Sequence, residues 1–163
     1  QIGMEQKTHP HEGFTLLQGS PYFHGRILGG CIDSLYDMFS PARYPDMPEI
    51  CMRYGLFPTA EDWHNRILLL ETSEEKMSPE KYREALYCLR DAGVFGAVSG
   101  ILVGKPMDGM YEAAYKEVLC EVIDNPALSV VWGVNIGHAL PRCILPFGVE
   151  AEVDAEAQVI RFL

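Results

Sequence analysis

The sequence predicts an α/β fold with a parallel βαβαβ core and an added C-terminal β-hairpin. Short β-branched or apolar runs at 66–70, 99–104 and 129–134 alternate with two helical patterns. This alternation is typical of a parallel sheet, because each return to the same end of the sheet needs a crossover helix. With 163 residues and 48% apolar content, the chain is expected to fold as one compact domain.

The two crossover helices are marked by their ends and by their apolar faces. The first has Ser78 as N-cap and Pro79 as its first helical residue, and it ends before Gly93. The second extends from about residue 110 to 123, with apolar residues repeating at helical spacing. Both helices are predicted to pack on the sheet without a functional role of their own.

The segments on either side of this core carry weaker signals. The run "GRILGG" at 25–30 predicts a strand that leaves through glycines. Short alternating pieces around "DAEA" at 154–157 predict the antiparallel hairpin. Four prolines in 40–65 predict a long ordered loop with one helical turn. Residues 1–23, which lack an initiator Met, are predicted to be a linker or N-terminal extension cut from a longer protein.

Charge and cysteine usage exclude several classes of function. The net charge of −10, from 13 basic and 23 acidic residues, argues against a nucleic-acid partner. Five cysteines without CxxC spacing predict neither disulfides nor a zinc site, and they favour a cytoplasmic location. The four histidines before residue 65 also lack ligand spacing. No apolar run is long enough to span a membrane, and no signal-peptide core is present.

Polar residues follow three of the predicted strands. Glu71 comes directly after "RILLL", Lys105 after "SGILVG", and His138 four residues after "SVVWGV". Ligand sites gather beyond the carboxyl ends of parallel strands, where strand exits converge. A carboxylate beside an imidazole forms the orienting pair of a general base. We therefore expect Glu71 and His138 to meet at one edge of the sheet, within hydrogen-bonding distance or close to it.

Structural interpretations of the same residues stay open. Glu71 could be a loop charge, His138 a satisfied core group, and the following "TSEEK" a solvated acidic loop. No serine lies in a GxSxG elbow. Cys31 in "LGGCID" is the one internal nucleophile candidate, so a Cys31–His138–Glu71 hydrolase is conceivable. Cys31 could instead be a small apolar filler. If it only replaces another residue and is not a nucleophile, its thiol is expected to have an ordinary pKa of about 8.5 and to label slowly.

Five segments in order, "GRILGG", "ILLLETSEE", "GVFGAVSGILVGKP", "NIGHALPR" and "LPFGVEAEVD", resemble the C-terminal half of the LD-carboxypeptidase family of serine peptidases, which includes the microcin C self-immunity peptidases. The resemblance covers 24–163. It implies a swivelling β/β/α-type domain in which Glu71 and His138 are catalytic. A separate N-terminal domain, similar to the class I glutamine amidotransferase fold, would supply the serine nucleophile and the oxyanion hole.

The resemblance also implies an activity and partners. The full enzyme would cleave an amide bond next to a D-amino acid in a murein stem peptide, or a microcin-type peptidyl conjugate. No metal or organic cofactor is implied. The expected partners are the chain's own N-terminal domain, the peptide or peptidyl-amide substrate and a second copy in a homodimer. The isolated chain is expected to be inactive. The rival from another class is a non-catalytic peptide-binding or dimerisation module.

The sequence departs from the family pattern near the expected substrate site. Cys31 follows Gly29 and Gly30 where the family usually has asparagine, and Thr72 replaces the aspartate that usually follows the family's glutamate. Cys31 and Ser73 are expected to lie near the substrate. The segment 40–65 is longer than in compact members. We therefore expect substrate choice to differ from that of enzymes acting on the murein tetrapeptide.

Overall fold

The computed structural model describes residues 12–163, and seven strands form its central sheet. In chain order the strands are β1 (Thr15–Gln18), β2 (Tyr22–Cys31), β3 (Arg66–Glu71), β4 (Gly100–Gly104), β5 (Ser129–Val134), β6 (Glu150–Asp154) and β7 (Val159–Phe162). Across the sheet their order is β1-β5-β4-β3-β2-β6-β7. The four inner strands β2 to β5 pair in parallel, and the outer strands pair antiparallel.

Six α-helices and one 3₁₀ turn connect the described strands. They are α1 (Ile32–Asp37), α2 (Met47–Tyr54), α3 (Ala60–Trp63), α4 (Pro79–Asp91), α5 (Val94–Ala97), the 3₁₀ turn Met107–Gly109, and α6 (Glu112–Ile123). The Ser78 hydroxyl caps α4 by accepting from the backbone N–H of Lys81, and Pro79 stands in its first turn. The predicted α/β core, its two crossover helices and the C-terminal hairpin are confirmed.

Two apolar clusters bury the inner strands on both faces. Along β3, Leu68 and Leu70 join the cluster under α4 and α6, while Ile67 and Leu69 point to the opposite cluster. This division follows from the two-residue period of a strand. A strand buried on both faces must be apolar throughout, as expected of parallel strands, and this explains the unbroken run "ILLL".

One expectation about the N-terminal third is wrong. The segment 40–65 contains helices α2 and α3 instead of one helical turn. Pro48 is compatible with α2 because it stands in the first turn, where a backbone N–H has no helical partner. Thr59 and Asp62 form a capping box that starts α3.

The described part of the expected linker, 12–23, belongs to the sheet. β1 pairs with β5 along an antiparallel edge, and β2 already begins at Tyr22. Pairing satisfies backbone groups of β5 that would otherwise form an open edge. No helix in residues 12–163 combines the length and apolarity needed to cross a membrane.

Candidate active site

Three strand exits converge at one edge of the sheet. β2 ends at Cys31 and β3 ends at Glu71, and these two residues are direct neighbours in the parallel register. Neighbouring residues in register project to the same face of a sheet, so the thiol and the carboxylate come from adjacent positions. His138 lies in the segment that follows β5. The expectation that Glu71 and His138 meet at this edge is confirmed.

Glu71 holds the ring of His138 through one carboxylate oxygen. Its Oε2 lies 2.7 Å from Nδ1 of His138 and also accepts the backbone N–H of His138 at 3.3 Å. Because an ionised carboxylate can only accept, Nδ1 is the donor in this pair and Nε2 is the nitrogen left for other partners. Glu71 is only 7% exposed, so the sheet and the loop around it restrict where the carboxylate can point.

Glycines allow the loop to approach the carboxylate this closely. A Cβ on Gly137 would lie 2.4 Å from Oε2 of Glu71, and the φ of +82° at Gly137 disfavours other residues. Gly104, at the end of β4, has a similar role, since a Cβ there would lie 2.9 Å from the carbonyl oxygen of Ile136. The "GH" pair in the sequence is thus a steric requirement of the Glu71–His138 contact.

Two carboxylates face the two nitrogens of the imidazole. Oε2 of Glu74 lies 3.2 Å from Nε2 of His138, on the side away from Glu71. The hydrogen bond to Glu71 raises the pKa of His138, and the charges of Glu71 and Glu74 act in the same direction. Partial burial and the charge of Arg142 oppose this rise. The pKa of His138 is therefore raised, and its imidazole stays protonated to a higher pH than an ordinary histidine does.

The thiol of Cys31 is held as a neutral group. It donates to Oδ2 of Asp33 at 3.5 Å. Burial raises the pKa of Cys31 to about 11, and the charges of Glu71 and Asp33 add to the rise. The expected ordinary pKa is therefore wrong, although the shift also predicts slow labelling. A raised pKa argues against a self-contained cysteine hydrolase, which needs a thiolate.

Ser73 lies in the turn after β3. Its backbone N–H donates to Oδ2 of Asp33 at 3.1 Å, and its hydroxyl accepts the backbone N–H of Glu75 at 3.2 Å. The first bond ties the acidic turn to α1 at Asp33, and the second lies within the turn. A substrate contact by Ser73 stays a prediction, as does a substrate contact by Cys31.

A cavity of about 700 Å³ opens beside His138. Lys105 lines it, as the strand-exit pattern suggests, and forms an ion pair with Glu12. Lys116, Trp132 and Arg142 also line it, and sequence reasoning missed all three because they come from separate elements. Glu74 was missed as well, since the turn that carries it has the composition of a solvated loop.

The histidines outside the candidate site give no metal-ligand arrangement among the described residues. His24 is exposed, and its Nδ1 lies 3.8 Å from Oε1 of Glu150. His9 and His11 fall outside the residues that the structure describes. Among the residues that the structure describes, one group, formed by Cys31, Glu71 and His138, could hold a metal ion.

Comparison with known proteins places this chain in a family. The chain is 51% identical to an MccF-like protein from Streptococcus pneumoniae solved in complex with AMP, with a TM-score of 0.91 over 99% of this chain and 47% of that one. It is 29% identical over 140 residues to the microcin C7 self-immunity protein MccF of Escherichia coli, covering 83% of this chain and 36% of that protein. MccF in complex with glutamyl sulfamoyl guanosine matches 98% of this chain and 43% of that one, at 25% identity and a TM-score of 0.68.

The chain therefore spans about a third to a half of the length of these relatives. Residues 24–153 match the model of the LD-carboxypeptidase C-terminal domain. This match covers most of the chain, including Glu71 and His138, and it agrees with the resemblance found in the sequence. The chain belongs to the LD-carboxypeptidase C-terminal domain family, peptidase family S66.

Proposed function

We propose that this domain supplies the general base of a serine peptidase, with His138 as the base and Glu71 as its orienting partner. The observation that carries this proposal is the 2.7 Å contact between Nδ1 of His138 and Oε2 of Glu71. It fixes the ring and leaves Nε2, which faces Glu74, as the nitrogen available to a nucleophile from another domain. Family membership in a peptidase group supports the same assignment.

In this mechanism Nε2 of His138 accepts the proton of a serine hydroxyl while that oxygen attacks the scissile carbonyl. Glu71 keeps Nδ1 protonated and stabilises the imidazolium that forms. The imidazolium then donates its proton to the leaving nitrogen, and water reverses the cycle. Glu74 must move away from Nε2 before the serine can approach, because both need the same side of the ring.

The nucleophile and oxyanion hole would come from an N-terminal domain of the same protein. The chain covers 36% of the length of MccF from Escherichia coli, which leaves room for a second domain in a relative of that size. Without an oxyanion hole the dyad has no tetrahedral intermediate to stabilise, so we expect the isolated chain to be inactive. A homodimer of the two-domain protein is part of the same proposal.

The substrate we propose is a peptidyl or aminoacyl amide, either a murein stem peptide or a microcin-type conjugate. The conjugate is favoured by one set of observations: relatives have been solved with AMP and with glutamyl sulfamoyl guanosine. The cavity beside His138 supports the same choice. Lys105, Lys116 and Arg142 line it and could contact an anionic part of the leaving group, and Trp132 adds an aromatic surface.

The test compares the 163-residue chain with a protein in which a nucleophile domain precedes it. We expect no turnover of an aminoacyl sulfamoyl adenosine or an L,D-linked stem peptide by the chain alone, and turnover by the longer protein. In the longer protein, His138→Ala should lower the rate on the order of a thousandfold. Turnover by the chain alone, or ligand binding without turnover in the longer protein, would contradict the proposal; the second result would favour a binding module.

A further inference from the structure

The cluster at the sheet edge has a donor set that the proposed peptidase reaction does not need. Cys31, Glu71 and His138 offer one sulfur, one oxygen and one nitrogen, and these three atoms all lie within 4.8 Å of one another. A general-base dyad uses the carboxylate and the imidazole only. The thiol is present because the chain departs from the usual family residue after Gly29 and Gly30.

This donor set matches one metal best. Thiolate, imidazole and carboxylate together are ligands of Zn²⁺, whereas Mg²⁺ and Ca²⁺ prefer oxygen alone. Tetrahedral Zn²⁺ with bonds of about 2.0–2.3 Å would place ligand atoms about 3.3–3.8 Å apart. Oε2 of Glu71 and Nδ1 of His138, 2.7 Å apart, would have to separate by about 0.6 Å, and a donor pair at the 4.8 Å limit would have to close by about 1–1.5 Å. Both changes are within the reach of small side-chain rotations.

The surroundings of the three donors are already organised. Cys31 and Glu71 occupy paired positions on neighbouring strands, so the sheet fixes the spacing of their backbones. The backbone N–H of His138 donates to the carboxylate of Glu71. An outer hydrogen bond of this kind orients metal ligands in known sites.

The charge at the cluster favours a cation. Three carboxylates, those of Glu71, Asp33 and Glu74, lie against the thiol and the imidazole. The same negative charges that disfavour a free thiolate would be balanced by a divalent ion, which also deprotonates a coordinating thiol. Water would complete the coordination, because Glu74 contacts Nε2 of His138 on the side of the ring away from Glu71.

We infer that Cys31, Glu71 and His138 form a Zn²⁺ site at the carboxyl edge of the sheet. Sequence spacing gave no sign of it, because the ligands are separated by 40 and 67 residues and meet through three different strand exits. If His138 is the base of the proposed peptidase, Zn²⁺ bound at Nδ1 leaves the ring proton on Nε2, and the enzyme is inhibited because Nε2 can no longer accept a proton. That consequence depends on the proposed function; the binding of Zn²⁺ does not.

The experiment measures Zn²⁺ binding to the reduced, chelator-stripped 163-residue chain by competition with a chromophoric chelator. We expect one Zn²⁺ per chain at this cluster, and we expect Cys31→Asn to weaken it by more than the roughly 100-fold lost with an outer hydrogen-bond partner. With Co²⁺ as the probe, the wild-type chain should show a thiolate-to-metal absorption band that Cys31→Asn abolishes. His138→Gln is the second variant, and circular dichroism checks that each variant folds.

Two controls separate this site from other donors in the chain. Cys143→Ser removes an exposed thiol outside the cluster and should leave the affinity unchanged. His9→Asn combined with His11→Asn removes the N-terminal histidine pair and should also leave it unchanged. The inference is overturned if the wild-type chain does not bind Zn²⁺, if Cys31→Asn and His138→Gln bind as tightly as the wild type, or if the His9/His11 variant loses the metal instead. None of these outcomes depends on peptidase activity.

Discussion

The two halves of the candidate dyad come from regions of very different construction. Glu71 is the last residue of a strand that pairs on both sides, with β2 and with β4. His138 lies in the irregular segment 135–149, which exposes Leu140, Ile144 and Phe147 to solvent. The sheet fixes the position of Glu71. The position of His138 depends on its contacts with Glu71.

The difference shows how the site is held together. Backbone bonds between Gly148 and Ile27 and between Ile27 and Val149 anchor the end of the irregular segment to β2, and a bond from Cys143 to Asn135 closes a loop within it. Near its start, two bonds from His138 to Glu71 join it to the end of β3. We therefore expect changes at the strand end to affect activity and stability, and changes in the loop to affect mainly the placement of His138.

The largest expected effect distinguishes the two carboxylates around His138. In the protein carrying a nucleophile domain, Glu71→Gln should lower kcat/KM on the order of a thousandfold, because the imidazolium loses its counter-charge and the ring its fixed tautomer. Glu74→Gln makes the same change in charge on the other side of the ring and should cost less than about tenfold. Equal losses in steady-state kinetics would show that the dyad is assigned to the wrong carboxylate.

The next effect concerns stability and compares the two regions directly. Leu70→Ala in β3 removes a side chain that is 1% exposed and should lower the free energy of unfolding by about 2–5 kcal/mol. Ile144→Ala in the irregular segment removes one that is 92% exposed and should change it by no more than about 0.5 kcal/mol. Urea denaturation of the isolated chain measures both. A large loss for Ile144→Ala would mean that the loop contributes to the folded core.

Two glycines of the irregular segment allow its contact with Glu71 to be tested separately from backbone strain. Gly137 and Gly148 both have positive φ, so alanine is strained at each by about 1–2 kcal/mol. At Gly137 the new Cβ would also collide with Glu71, whereas at Gly148 it meets open space. Gly137→Ala should lower the rate about a hundredfold by displacing His138, and Gly148→Ala much less. Similar rates for the two variants would remove the steric argument for the glycine before His138.

The smallest effect is the titration of His138, measured by NMR on the isolated chain. Its pKa should lie above the ordinary value, fall in Glu71→Gln, and fall less in Glu74→Gln. Because folding raises this pKa, its contribution to stability is full below the unfolded pKa and is lost as pH rises through the folded pKa. In the active protein the base must be neutral. Because Glu74→Gln lowers the pKa of His138, the pH at which the rate increases should be lower in this variant. A titration unchanged in both variants would contradict the two-carboxylate geometry.

Sequence patterns were most informative where one physical rule dominated. The apolar strands and the capped helix at Ser78 were predictable because burial and capping leave local periodic signals. Helix α2 was missed because prolines mark both loops and helix first turns. The edge strand β1 was missed because four residues carry too little periodicity to predict a strand. Its pairing with β5 holds it in the sheet.

The sequence by itself determined which residues end the inner strands, and so that a carboxylate and a histidine would stand at one edge of a parallel sheet. The tertiary structure alone decided the rest of the site: that Cys31 is the in-register neighbour of Glu71, that Glu74 reaches the second nitrogen of His138, and that Lys116, Trp132 and Arg142 share a cavity with it. The reason is that local burial patterns encode where each strand begins and ends along the chain. Contacts between side chains far apart in the chain depend on register, loop path and glycine-permitted close approach, which no local pattern specifies.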